Sequence, residues 1–121
     1  MKVTEIAFTG YPVTNLKRAR QFYEDTLGLK VSHKFGDESE AWIEYDIGPG
    51  TLAITNMAPD WKPAAGGGSV GLEVDDFDDA IARLKKSEVT FRLEPTETPV
   101  CHMAVVLDPD GNLITIHHRK G

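Results

Sequence analysis

The sequence predicts an α+β protein built from two tandem βαβββ modules, and three observations carry that expectation. A β-hairpin is written into Val105–Arg119, where Asp108-Pro109-Asp110-Gly111-Asn112 supplies turn chemistry between two apolar runs. A weaker copy stands at Trp42–Asn56, with Gly50, Leu52 and Thr55 placed 61 positions before Gly111, Leu113 and Ile116. The same offset aligns Val13, Asn15, Leu16 and Ala19 with Val74, Asp76, Phe77 and Ala80, so strand end, helix cap and helix core repeat together. A constant register through both halves reads as a duplication. Module one covers residues 1–56, a linker 57–68 and module two 69–121, all within one domain of 121 residues.

Each element has a local reason. Val3–Tyr11 alternates as a strand, with Ile6 and Phe8 on one face. Asn15 is a helix N-cap, and Leu16, Ala19, Tyr23 and Leu27 recur at helical spacing beside Phe22. Lys17, Arg18, Gln21 and Glu24 fill the polar side, and Gly28 ends the helix. Leu29–Phe35 reads as a second strand, Gly36–Glu40 as a turn, and Ala41–Ile47 with Thr51–Thr55 as the early hairpin. Met57–Gly68 holds two prolines and three consecutive glycines, which mark a linker. Trp61 within it either pins that linker or caps a cavity.

Module two repeats the scheme. Ser69–Val74 is a strand, Asp76 caps a helix, and Phe77, Ala80, Ile81 and Leu84 form its buried stripe. Asp78 and Asp79 suit the start of the helix dipole, and Lys85 and Lys86 its end. Val89–Leu93 is a short strand, Glu94–Pro99 a loop, and Val100–Leu107 enters the closing hairpin.

Composition limits the partners. A formal net charge of −6 argues against a nucleic-acid backbone as ligand, because that affinity comes from clustered Lys and Arg. Cys101 is the lone cysteine, so no intrachain disulfide forms and a reducing compartment is the default. The N-terminus passes into a strand without an apolar leader, and no window approaches a membrane span. The expectation is a cytoplasmic protein with no membrane or nucleic-acid partner.

Three stretches then carry a resemblance. Val13–Leu29 resembles the first-helix signature of the vicinal oxygen chelate superfamily, which includes glyoxalase I, extradiol dioxygenases and the bleomycin and fosfomycin resistance proteins. Gly71–Ala80 and Asp108–Ile114 are similar to its two later signatures. The resemblance implies curved mixed sheets around a cavity, a homodimer as in many relatives, and four metal ligands, usually His, Glu or Gln, on the first and fourth strands of each module. Carried over position by position, those ligands fall at Phe8, Ile54, Ser69 and Thr115; a one-notch slip in strand parity would offer Leu52 for Ile54. Divalent ions of this class want imidazole, carboxylate or thiolate donors, which this set does not supply. The expectation is no metal and no other cofactor.

If those four side chains still point inward, alternation brings Asn56, Gly71, Glu73 and His117 with them. Such a mixture of apolar walls and few polar groups suits a small organic ligand. Glu73 and His117 are the candidate acid–base pair, weighed against a solvent-facing strand end and a fraying terminus.

A displaced metal site would have to draw on His33, His102, His117 and His118, of which the adjacent last two face opposite ways. Cys101 beside His102 is poorly placed for nucleophilic activation for the same reason. Tyr11, Trp42 and Tyr45 either stack a planar ligand or fill core and dimer interface. Two functions stay open: a binding or sequestration protein with a metal-free cavity, and an enzyme of the superfamily, such as a lyase, isomerase or dioxygenase-like protein. The second would work through Glu73 and His117 or a displaced metal.

Overall fold

The computed structural model describes residues 1–2 and 4–121. It forms two compact units, Met1–Pro63 and Ala64–Gly121, each carrying one four-stranded mixed sheet. The fold is α+β, as the duplicated pattern predicts.

The first unit contains β1 (Thr9–Pro12), α1 (Leu16–Arg20), β2 (Val31–Gly36), β3 (Ala41–Ile47) and β4 (Gly50–Thr55), with sheet order β1-β4-β3-β2. β1 runs parallel to β4, and the other pairs are antiparallel. The second unit repeats this with β5 (Val70–Glu73), α2 (Phe77–Lys86), β6 (Phe91–Glu97), β7 (Cys101–Leu107) and β8 (Leu113–Arg119), in order β5-β8-β7-β6.

Both helices start where the sequence places them. The Asn15 side chain accepts from the Arg18 N–H at 3.0 Å, and Asp76 accepts from the Asp79 N–H at 3.0 Å. The first helix departs from expectation after Arg20, where Gln21–Thr26 winds as a π-helical segment. The Leu27 N–H donates five residues back to the Phe22 carbonyl at 2.9 Å. Both Phe22 and Tyr23 are buried there, and Tyr23 stacks on Tyr45 of β3 at 6.1 Å between centroids. Glu24, expected on the polar side, instead accepts from the Tyr45 hydroxyl at 2.9 Å and from Arg20 Nε at 2.7 Å. A buried phenol needs an acceptor, and this carboxylate supplies it.

Strand limits moved most at β1 and β6. Val3 lies outside the described residues, and the first strand is paired only from Thr9, leaving Ile6 exposed. β6 continues through Pro95 to Glu97, whereas Glu94–Pro99 was expected to be loop. It is an edge strand with register shifts between Phe91 and Leu93 and between Leu93 and Thr96, where a missing proline N–H costs no ladder bond. The linker divides between the units: Trp61 packs on Trp42 of the first, while the Ala64 N–H donates to Asn112 Oδ1 of the second at 3.3 Å.

The late hairpin turn is held by Asp108, whose Oδ1 accepts from the N–H groups of Asp110 and Asn112 at 2.9 and 2.8 Å. Asn112 Nδ2 donates to its Oδ2 at 2.8 Å, both residues are buried, and Gly111 takes φ +87°. This turn breaks the constant register. β3 and β7 keep the 61-residue offset, with Ile43 matching Ala104. Their partners Ile54 and Ile116 are 62 apart, so the late turn is one residue longer. Leu52 therefore corresponds to Ile114, not Leu113. The same shift replaces the pairing of Thr55 with Ile116 by one with His117, and Gly50 no longer matches Gly111.

Candidate functional site

A sheet strand sends alternate side chains to opposite faces, so register decides which residues share a surface. In the first unit Ala41, Ile43, Tyr45, Leu52 and Ile54 are buried on the face toward the helix. The other face carries Gly10, Trp42, Glu44 and Ala53 on the strands, and Phe8 just before β1 joins it through a Trp42 contact. In the second unit Ala104, Val106, Ile114 and Ile116 are buried toward α2, where Phe77 and His102 meet at 5.6 Å between rings. The opposite face carries Gly71, Glu73, Thr115 and His117.

Module two brings its expected residues together. Ser69 Oγ and Thr115 Oγ1 lie 2.7 Å apart in a hydrogen bond. Gly71 pairs with Thr115 and leaves open space where a Cβ would stand. Glu73 pairs with His117, and His117 Nδ1 lies 2.6 Å from Glu73 Oε1. The Arg119 N–H donates to the other oxygen, Oε2, at 2.7 Å. That backbone bond, then the imidazole, holds the Glu73 carboxyl below its ordinary pKa. A carboxylate on Nδ1 favours the tautomer protonated there, so Nε2 is the basic nitrogen left for chemistry.

Module one corrects the expectation. Ile54 does not share the face of Phe8: it pairs with Tyr11 and Ile43 and is wholly buried on the helix side. Asn56 lies just past β4, where its Oδ1 accepts from the Ala41 N–H at 3.0 Å and its Nδ2 donates to the Ser39 carbonyl at 2.8 Å. Its amide closes the β2–β3 turn end. The cause is the one-residue difference between the hairpin turns, since a slip of one flips every side chain. The counterpart of Thr115 is Ala53, and that of His117 is Thr55.

Sequence reasoning named Phe8, Trp42 and Trp61 separately and missed that they assemble. Phe8 meets Trp42 edge-on at 5.1 Å, and Trp42 meets Trp61 at 6.0 Å with a 60° tilt. Trp61 lies over Gly10, where an added Cβ would stand 2.7 Å from the indole. Trp42 Nε1 donates to Glu44 Oε2 at 2.8 Å, and His33 Nδ1 lies 3.7 Å from the other oxygen. The signal was present in the alternation Trp42-x-Glu44, with Phe8 and Gly10 in matching parity. Tyr11 and Tyr45, by contrast, are buried core.

The other candidates scatter. Cys101 is buried with its sulfur 3.2 Å from Thr98 Oγ1, while His102 turns to Phe77. His118 Nδ1 is 2.7 Å from the Val74 carbonyl oxygen. Among the described residues no group of three or more His, Cys, Asp or Glu is placed to hold a metal ion. No helix among them is long and apolar enough to cross a membrane.

Two βαβββ units in one chain, each with a four-stranded mixed sheet, define the class of the glyoxalase and bleomycin resistance folds. The chain belongs to the Glyoxalase/Bleomycin resistance protein/Dioxygenase superfamily, which it matches over residues 5–116. Among solved structures it is similar to TnmS3, an antibiotic binding protein from Streptomyces sp. CB03234, with 25% identity over 99% of both chains and a TM-score of 0.81. A glyoxalase/bleomycin resistance protein from the same organism is 28% identical over 93% of this chain and 98% of its own, with a TM-score of 0.74. Lactoylglutathione lyase from Agrobacterium tumefaciens shares the fold at 19% identity, covering 97% of this chain and 95% of its own, with a TM-score of 0.74. Comparison with curated protein sequences finds no match.

Proposed function

We propose that this protein binds and sequesters a small organic molecule on the helix-free faces of its sheets, without a metal ion. One observation carries the reading. The metal-ligand positions that the resemblance implies fall at Phe8, Ile54, Ser69 and Thr115, and the β4 register puts Ala53 rather than Ile54 on the face of Phe8. Phe8 and Ala53 have no donor atom, and the two hydroxyls bond to each other. A divalent ion of the usual class would lack imidazole and carboxylate donors at all four. In place of ligands the first unit presents three aromatic rings with a carboxylate beside them, which is the composition of an organic-ligand surface. The likeness to an antibiotic binding protein supports the same reading.

The reading extends to a cytoplasmic homodimer. β2 is an edge strand exposed along its whole length, and its unpaired edge with exposed Val31 and Phe35 suits pairing with a second copy.

A second reading has its own observation. The Glu73–His117 pair is the carboxylate–imidazole arrangement of a general base, and its position on the helix-free face would let Nε2 take a proton from a bound substrate. Residues Ser69, Gly71 and Thr115 would then line the substrate side.

Thermal unfolding of the full chain against a panel of aromatic small molecules and of Zn, Ni, Mn and Fe salts tests the main reading. Ligands that bind the native state raise Tm, by an amount that grows with the logarithm of their concentration over Kd. A rise with organic compounds and none with the ions supports it; a rise with an ion alone contradicts it.

A further inference from the structure

We propose that the cleft between α1 and β2, on the helix-covered side of the first sheet, binds a small zwitterion of the amino-acid type. Its carboxylate meets Lys17 and Gln21, its ammonium meets Glu38, and its apolar body lies on the floor between them.

The cleft follows from how far the helix reaches. Ala41, Ile43 and Tyr45 are buried on the helix side, whereas β2 is exposed along its whole length. Lys34 of β2 pairs with Ile43, so it stands on the same side of the sheet and forms the far wall with the turn that follows. Between that wall and the helix lies a space of about 300 Å³, at the lower end of the range for small-molecule sites. Leu16 and Ile43, both core residues, close its floor. Trp42 and Glu44 alternate to the opposite face, so this space is separate from the helix-free surface.

The charge of the ligand follows from which groups are already matched. Arg20 Nε and Nη2 donate to the two oxygens of Glu24 at 2.7 and 3.2 Å, and the Tyr45 hydroxyl adds a third bond. Asp37 is held ionised by bonds from Glu40 and Ser39, then by the charge of Lys34. Asp25 has an interaction of its own. One cation on the helix wall and one carboxylate on the turn wall remain. Among the described residues the Lys17 ammonium, the Gln21 amide and the Glu38 carboxylate make no hydrogen bond or ion pair. Glu38 acts on Arg20 only through its charge, after the influence of Glu24. An anion alone would meet Glu38 and three further carboxylates, and a cation alone would meet Lys17, Arg20 and Lys34. A molecule carrying both signs satisfies both walls.

Amide chemical-shift titration of the full chain tests this with three probes of one skeleton. They are L-leucine, 4-methylpentanoate, which lacks the ammonium, and 3-methylbutylamine, which lacks the carboxylate. L-Leucine should shift amides of α1 and of residues 34–38. It should bind about two- to fivefold more tightly than either analogue, the gain expected of a solvent-accessible ion pair. Lys17→Met should abolish the preference for L-leucine over the amine, and Glu38→Gln the preference over 4-methylpentanoate. Both positions are exposed, so both variants should fold, which circular dichroism verifies. Analogues that match L-leucine in affinity, or shifts confined to the helix-free face, overturn the proposal. So does an unshifted spectrum at tens of millimolar L-leucine. A preference for the zwitterion that survives both substitutions overturns the assignment to Lys17 and Glu38.

Discussion

Glu73 Oε1 and His117 Nδ1 lie 2.6 Å apart on adjacent parallel strands, held in register by the β5–β8 ladder. The Arg119 N–H fixes the other carboxylate oxygen, so the pair is oriented from both sides. An acid–base pair of this geometry on a helix-free face separates the two readings. If the protein only binds its ligand, His117→Ala should leave the Kd of an organic ligand within about twofold, since a half-exposed imidazole already paired with Glu73 adds little binding energy. Loss of a chemical turnover in that variant, with Kd preserved, would establish the enzyme.

The same pair sets an acid limit. Hydrogen bonds from Arg119 and His117 lower the Glu73 pKa in the native state, so the native state favours the ionised form. The resulting stability is present above the ordinary carboxylate value, about 4.3, and is lost as pH falls through the lowered native value. Urea midpoints of the parent and Glu73→Gln should therefore differ at pH 7 and converge in strong acid. Parallel pH curves would show that the carboxylate is not coupled to folding.

Tyr45 gives the opposite sign. Burial, then the bond to Glu24, raises its phenol pKa above the ordinary value of about 10. Its contribution is complete below that value and is lost as pH rises toward the raised native pKa. Tyr45→Phe should cost about 1 kcal/mol at neutral pH through the lost hydrogen bond, and its alkaline unfolding should be less steep. Denaturant titrations at neutral pH and above the ordinary phenol pKa measure both.

Gly10→Ala tests the packing of Trp61 on β1 directly. The new Cβ would stand 2.7 Å from the Trp61 ring, which must shift, while the backbone of β1 stays paired with β4. Tryptophan emission should change and quencher access increase, with the far-ultraviolet circular dichroism unaltered. An unchanged emission spectrum would contradict the packing of Trp61 over β1.

Asn112→Ala should destabilise the protein by roughly 1–3 kcal/mol, because it removes the bond from Asn112 Nδ2 to a buried Asp108 oxygen and the acceptor of the Ala64 N–H. Urea unfolding measures it, and a change within error would remove this turn from the set of stabilising networks.

Much of the fold was legible because its signals are local. Asn15 and Asp76 cap the helices they precede, and the Asp108–Asn112 turn forms as its composition requires. The shared face of module two was legible for the same reason, since Ser69, Gly71, Glu73, Thr115 and His117 follow simple alternation along two paired strands. Module one was not. Its β4 register depends on a turn one residue shorter than its duplicate, and no local pattern in Gly48-Pro49-Gly50 announces the difference. That single residue moved Ile54 and Asn56 off the expected face and put Ala53 there. The π-helical segment was hidden likewise, because it is set by tertiary demands: Tyr23 stacking on Tyr45 and Glu24 reaching its hydroxyl.

Native mass spectrometry of freshly purified full chain, prepared without chelator, tests most directly whether this is a metal-independent binder of organic molecules. The account predicts protein free of stoichiometric Zn, Ni, Mn or Fe, with a mass increase when an aromatic ligand is added. One equivalent of a divalent metal per chain would contradict it.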